Sequence, residues 1–306
     1  MKTVTKPKSI LAAIITVVIL IASAVLYQNG IISESTYLDI IGAVNPGVSY
    51  TEGAEVHYID VGQAECILIK TSDKNILIDA GNLGYGNEIK SYLHANGVNS
   101  LDIFILTHPH ADHIGSAPDI LKSFSVEKLI LPKIPSEYLP TTSIFEKTLL
   151  AASENGCTVS YAKPGTVFEF ADTKLEIFGP CDTYGDEYNN YSIVSKFTCG
   201  AVSYLFTGDA EEEAELDVIN SGADLSCTVF SAGHHGSSTS NSKALMKAAS
   251  PEYAVISCGI DNDYGHPHKE TVAIFKEFGI EYYRTDYDGS VVVSTDGANV
   301  FISTSK

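Results

Sequence analysis

The densest chemistry in this sequence lies in His108-Pro109-His110-Ala111-Asp112-His113, where three imidazoles and one carboxylate fall within six residues. Imidazole nitrogen is the commonest side-chain metal donor, and a carboxylate adds charge that offsets a divalent cation. The apolar stretch DIFILT (102–107) carries this run to the end of a buried strand. Pro109 lacks a backbone donor and favours a turn, so His108 and His110 can project in one direction from an extended loop. Asp112 and His113 fall where the next helix starts and reach the same place from another angle. Such a loop can serve two adjacent metal ions. A single His at a strand end is ordinarily structural, whereas four ligand-type residues in this order predict a metal site.

Three later positions could complete that site. Asp209 ends the strand SYLFTGD (203–209) and precedes an acidic helical run. By position alone it reads equally as a bridging carboxylate or as a helix cap. His234-His235-Gly236-Ser237 follows the strand CTVFSA (227–232), and His266 lies past the strand YAVISC (253–258). His57 and His94 belong to no motif and are assigned to structure, and His268 is assigned to solvent.

The elements that must hold these residues alternate in type. Strands are predicted at 55–60, 66–70, 75–80, 102–107, 127–132, 173–179, 192–198, 203–209, 227–232, 253–258, 281–286 and 290–295. Helices are predicted at 87–96, 114–123, 142–154, 211–220, 240–249 and 269–278. The first half opens with strands joined by short turns, and the second alternates strand and helix. That pattern suits an α/β sandwich, two sheets face to face with helices outside.

Composition narrows the partners. The formal charge of the 306-residue chain is −19, and Arg284 is its only arginine. Such a surface repels phosphate backbones at long range, so an anionic substrate needs local help from a metal or a few lysines. The cysteines, Cys66, Cys157, Cys181, Cys199, Cys227 and Cys258, form no C-x-x-C pair, which removes zinc-finger and thioredoxin readings. Most sit in apolar runs and read as buried free thiols, with one or two disulfides as the alternative in an exported chain.

The N-terminus sets the compartment. Residues 2–8 carry three lysines and no acid, and residues 9–27 are nineteen uncharged residues. At about 1.5 Å per residue a helix of that length nearly matches a bilayer core of ~30 Å. The flanking lysines predict a cytoplasmic N-terminus. The expected organisation is a basic segment (1–8), a transmembrane anchor (9–27), a linker (28–50) and a catalytic domain (51–306) outside the cytoplasm. Ala22-Ser23-Ala24 also fits a signal-peptidase site, which would make the domain secreted.

The motif HPHADH resembles the signature of the metallo-β-lactamase superfamily. YIDVGQAECILI, ILIDAG, LFTGDAE, HHGS, YGHP and RTDYDG are similar to successive blocks of the C-terminal domain of the ComEC DNA-uptake family, over about 250 residues from Tyr58 onward. This resemblance implies a four-layer αββα sandwich holding two divalent ions, Zn²⁺ or Mn²⁺. It implies metal contacts from His108, His110, Asp112, His113, a bridging Asp209 and one histidine of the HHG block. His235 is favoured there because it immediately precedes Gly236, with His234 in proton transfer or substrate contact. It places Asp79 behind the ligand loop and leaves His266 as a last ligand or a substrate-side acid. The catalytic set expected is Asp112, His235 and His266. One departure stands out. Many superfamily hydrolases carry a further His between the signature and the bridging Asp, and here no His lies between 113 and 234. Asn189, Asn190 and Ser192 stand at that place, and Asn190 could orient substrate. One metal is then expected to be weaker, or suited to a harder ion. The activity implied is metal-dependent hydrolysis of a phosphodiester, in nucleic acid or in a small surface group such as phosphocholine. A non-catalytic metal-binding module is the alternative of another class.

Overall fold

The computed structural model describes residues 53–306, so the expected membrane segment at 9–27 and the linker lie outside the described residues. No helix among the described residues is long and apolar enough to cross a membrane. Among the described residues, contacts place 53–89 and 100–306 in one compact unit and 90–99 in another. What is described of the smaller unit is the latter part of helix α1 (Gly86–Ala95) and the turn after it.

The larger unit is a mixed α/β sandwich of two sheets. Strands β1 (Ala54–Tyr58), β2 (Ile67–Thr71), β3 (Asn75–Ile78), β4 (Ser100–Ile105), β5 (Ser125–Leu131) and β6 (Thr158–Tyr161) form the first sheet with β14 (Val291–Thr295) and β15 (Val300–Thr304). Its order is β15-β14-β1-β2-β3-β4-β5-β6. The second sheet holds β7 (Val167–Phe170), β8 (Thr173–Ile177), β9 (Ser195–Cys199), β10 (Val202–Phe206), β11 (Val229–Ser231), β12 (Tyr253–Ile256) and β13 (Glu281–Arg284), in the order β13-β12-β11-β10-β9-β8-β7. Each sheet is antiparallel on one side and parallel on the other. The parallel pairings run from β3 to β6 and from β10 to β13.

Strand alternation separates the cores. Ile76, Ile78, Ile103 and Ile105 of the first sheet meet Tyr204, Phe206, Val229 and Val255 of the second in one apolar cluster. Their neighbours Leu205, Phe230, Ala254 and Ile256 point to the opposite face. There they pack on helices α5 (Glu212–Asn220), α6 (Lys243–Ala249) and α7 (Lys269–Phe278) through Val218, Met246 and Phe275. The inner strands β10 to β12 therefore serve two cores, which is why their sequences read as nearly continuous apolar runs.

The predicted strands hold with three additions, and one predicted helix is divided. β6, β7 and β15 are sheet edges with exposed or half-buried residues, so they lack the apolar runs that mark the inner strands. The helix predicted at 114–123 is two short helices, α2 (Ala111–Ile114) and α3 (Ala117–Ser123). Gly115 separates them, and its N–H donates to the Gly81 carbonyl. A Cβ at Gly115 would lie 2.3 Å from both the Ala111 carbonyl oxygen and the Leu83 nitrogen, with backbone on every side. Gly115→Ala is therefore expected to destabilise the fold by about 2–3 kcal/mol through overpacking, read as a lowered urea midpoint at unchanged slope.

Candidate metal centre

The predicted site residues converge where strands of both sheets end. Asp79 follows β3, His108 and His110 follow β4, Asp209 follows β10, His234 and His235 follow β11, and His266 follows β12. Asp112, His113, Asp209 and His235 form the tightest set, with one donor atom from each lying within 4.8 Å of all the others. His113 Nε2 and Asp209 Oδ1 are 3.1 Å apart, both buried, and neither makes a hydrogen bond. Apart from each other these two buried atoms have no partner among the described residues, and a shared cation would satisfy both.

Hydrogen bonds behind the imidazoles decide which nitrogen faces the centre. His113 Nδ1 donates to Asp79 Oδ2 at 2.7 Å, and His235 Nδ1 donates to the Ser257 carbonyl at 2.9 Å. Both rings thus direct Nε2 at the acids, and in the neutral state that nitrogen is left bare, the tautomer that metal ligation requires. His108 Nδ1 lies 3.2 Å from Thr107 Oγ1 and 3.3 Å from Ser192 Oγ, with its Nε2 3.8 Å from Asp209 Oδ2. Asp79 is wholly buried and also accepts the Thr107 N–H at 2.8 Å and the Thr107 hydroxyl at 2.6 Å.

The electrostatics ask for positive charge. Burial opposes protonation of His113, but Asp209 and Asp79 outweigh it and hold the imidazole well above its ordinary range. His235 is raised against its own burial by Asp209 and Asp112. Burial works against ionisation of Asp112 as well, yet the hydrogen bond from His235 and the charge of His113 keep it well below the carboxylate range. The same field that pulls protons onto these rings attracts a metal ion. Farther from the acids, burial and then His113 depress His108. Burial and the neighbouring His235 and His234 lower His266 to about 4.

A cleft of about 370 Å³ opens above the centre, lined by Gln63, His110, Asp112, Asn189, Asp209, His234, His235, Tyr264 and His266. His234 sits at its wall, with Nε2 3.6 Å from Asp209 Oδ2 and Nδ1 3.2 Å from Thr239 Oγ1. Asn190 does not reach the cleft. Its Oδ1 accepts the Glu211 N–H at 3.0 Å and its Nδ2 faces Glu213, while the neighbouring Asn189 takes the lining position. The short helical turn Tyr188–Tyr191 turns the two amides to opposite sides. His268 is partly open to solvent and also accepts the Ser238 N–H at 2.9 Å, which ties it to the turn at Ser238. All six cysteines are free thiols.

Sequence reasoning overlooked several supports. Glu65 is buried and accepts the Ser231 hydroxyl at 2.9 Å, and burial, opposed by His113 and reinforced by Asp79, pushes its carboxyl up to about 7. Asn241 clamps the histidine turn, accepting the Gly233 N–H at 2.8 Å and donating to the Gly233 and Ser237 carbonyls. Its own N–H and that of Ser242 are held by the buried Glu215 carboxylate. An Asn just before a helix reads as an ordinary cap, and only the fold brings it to the histidine turn.

The profile of the metallo-beta-lactamase superfamily matches residues 59–260, and the chain belongs to that superfamily. More particularly, it is 33% identical over 256 residues to ComE operon protein 3 of Bacillus subtilis, covering 78% of this chain and 32% of that protein. It is 30% identical over 242 residues to competence protein ComA of Neisseria gonorrhoeae, with 78% and 32% covered. Both relatives are ComEC-family competence proteins, and the chain spans about a third of their length. Among solved structures, the metallo-β-lactamase-fold protein YhfI of Bacillus subtilis superposes with TM-score 0.55 at 11% identity, covering 80% of this chain and 100% of that one. Igni18, a metallo hydrolase of Ignicoccus hospitalis, gives TM-score 0.50 at 14% identity, covering 78% and 98%. These two likenesses establish the shared fold.

Two measurements test the supports. Asn241→Ala removes three buried hydrogen bonds and is expected to cost about 2–4 kcal/mol in urea unfolding. Glu215 is raised by burial from 4.5 to about 6, so the folded state holds its proton more tightly than the unfolded chain. Its contribution is fully present below pH 4.5 and is lost as the pH rises through 6. Wild type should accordingly lose stability relative to Glu215→Gln across that window, and a constant difference would contradict the assignment.

Proposed function

We propose that the chain is a metal-dependent phosphodiesterase that works outside the cytoplasm, tethered by residues 9–27 or secreted after their cleavage. Members of the superfamily are usually metal-dependent hydrolases. The observation that carries the reading is the buried contact of His113 Nε2 with Asp209 Oδ1 at 3.1 Å, neither atom hydrogen-bonded to any other described group, with Asp209 lining an open cleft. The N-terminal charge pattern supports the compartment, and the competence relatives support a nucleic-acid phosphodiester.

The donor set fits two divalent ions, Zn²⁺ or Mn²⁺. His108, His110 and Asp209 would hold one, and Asp112, His113, His235 and Asp209 the other. When bound, the ions supply Lewis-acid activation of water and of the phosphoryl group. The chain's own residues do the rest. Asp79 and the Ser257 carbonyl keep His113 and His235 facing the centre through Nε2. Asp112 Oδ2 lies 3.3 Å from His235 Nε2, so the carboxylate and the imidazole face the same point before any ligand arrives. His234 and His266 line the walls within reach of a bound diester.

The two positions are unequal. Where related hydrolases have a further histidine, Ser192 accepts the Asp209 N–H at 2.9 Å and meets His108 Nδ1 from behind. The His108 and His110 side thus has fewer donors than the compact set opposite.

A second reading has an observation of its own. Among the described residues no Lys or Arg lines the cleft, and the exposed Tyr264 stands at its rim. That suits a small diester carrying its own cation, such as a phosphocholine ester, better than a long polyanion.

Metal titration should find one ion that survives dialysis and a second that washes out. Chelation should abolish hydrolysis of bis-p-nitrophenyl phosphate, and Zn²⁺ or Mn²⁺ should restore it. His110→Ala should fall to background activity and lose the weaker ion without unfolding. Absence of turnover with every metal, in a protein that still binds metal, would leave a binding module. Single-stranded DNA and phosphocholine esters assayed side by side separate the two substrates.

A further inference from the structure

The strongest unassigned feature of the cleft is the side-chain amide of Gln63, on the loop between β1 and β2. Its Oε1 accepts the Gly259 N–H at 3.0 Å, and its Nε2 lies 3.2 Å from His266 Nδ1. A backbone N–H can only donate, so the amide end at Gly259 is the oxygen and the end at His266 is the NH₂. An amide NH₂ offers no lone pair. His266 Nδ1 must therefore accept, and a neutral imidazole that accepts at Nδ1 carries its proton on Nε2. A doubly protonated ring would set N–H against N–H at this contact.

Two further features hold the arrangement. Asn262 grips the main chain of His266 from both sides, accepting its N–H at 2.9 Å and donating to its carbonyl at 2.7 Å. Gly259 allows the loops to meet, since a Cβ there would lie 2.7 Å from the Gln63 nitrogen. The His266 ring lines the cleft, and none of its hydrogen bonds within the protein engages Nε2.

We infer that Gln63 is a positioning residue that fixes His266 as the Nε2–H tautomer, so that His266 meets the substrate as a neutral hydrogen-bond donor. This excludes two roles otherwise open to it. A protonated Nε2 has no lone pair for a metal, and a neutral ring that gave up its last proton would become an imidazolate, so it stabilises charge without transferring the proton. The acceptor is a non-bridging or leaving oxygen of the diester. That identity rests on the phosphodiesterase reading, whereas the tautomer does not.

Long-range proton–nitrogen correlation spectra of the full-length chain labelled with ¹⁵N-histidine test the tautomer directly. The nine histidines are numerous enough to need assignment, and loss of one set of signals in His266→Gln identifies His266. Nδ1 should appear unprotonated and Nε2 protonated. Gln63→Glu offers only acceptor oxygens and should move the proton to Nδ1, whereas Gln63→Ala should leave a mixture of tautomers. In hydrolysis of bis-p-nitrophenyl phosphate, Gln63→Glu should lower kcat about 100-fold, the usual loss for one donor to a developing charge, with KM and bound metal little changed. His266→Gln, whose amide NH₂ can stand in for Nε2–H, should retain more activity than His266→Ala. A wild-type His266 protonated on Nδ1, or a tautomer indifferent to Gln63→Glu, would overturn the inference whatever the activity. Failure of the wild type to turn over the diester with the tautomer as stated would instead count against the proposed function.

Discussion

One buried carboxylate holds the centre in shape. Asp79 is wholly inaccessible, yet it accepts the Thr107 N–H, the Thr107 hydroxyl and His113 Nδ1. Burial pushes its carboxyl up, and His113 and the two Thr107 donors oppose that rise. In return it fixes the start of the ligand loop and selects the tautomer of His113. Neighbouring backbone bonds repeat the connection, from Ala80 N–H to the His113 carbonyl and from Gly115 N–H to the Gly81 carbonyl. The loop that carries four candidate ligands is thereby made an extension of the β3 end and ceases to be a free connection.

The centre is assembled from residues whose sequence context differs greatly, and that decides which were legible. His108, His110, Asp112 and His113 are contiguous, so their clustering was visible without a fold. Asp209, His235 and His266 each follow an apolar strand, and that shared position, together with family resemblance, marked them. Gln63, Glu65 and Asn241 carry no comparable signal. The roles of Gln63 and Glu65 arise from contacts at separations of 203 with His266 and 166 with Ser231, whereas Asn241 acts across only eight residues, through a loop shape that its sequence does not announce. Asn190 shows the converse error, since a polar residue in the right segment faces away once a tight turn sets its direction.

The same logic explains the fold. Inner strands announce themselves because both faces are covered, as in β10 to β12, while β6, β7 and β15 are edges whose outer residues meet water. The pairing order could not be read, because strands distant in sequence such as β1 and β14 are neighbours. What composition did convey was the scarcity of cationic side chains, and the cleft repeats that scarcity locally, with no Lys or Arg among its described lining residues.

The placement of the centre has a mechanical consequence. Its candidate ligands descend from β4 in one sheet and from β10 and β11 in the other, and those sheets otherwise meet mainly through apolar side chains. An ion held there would act as a rivet across the sandwich seam, closed by bonds far more directional than hydrophobic contact. Loading and rigidity would then be coupled, and slow opening along that seam would be the motion that releases the ion.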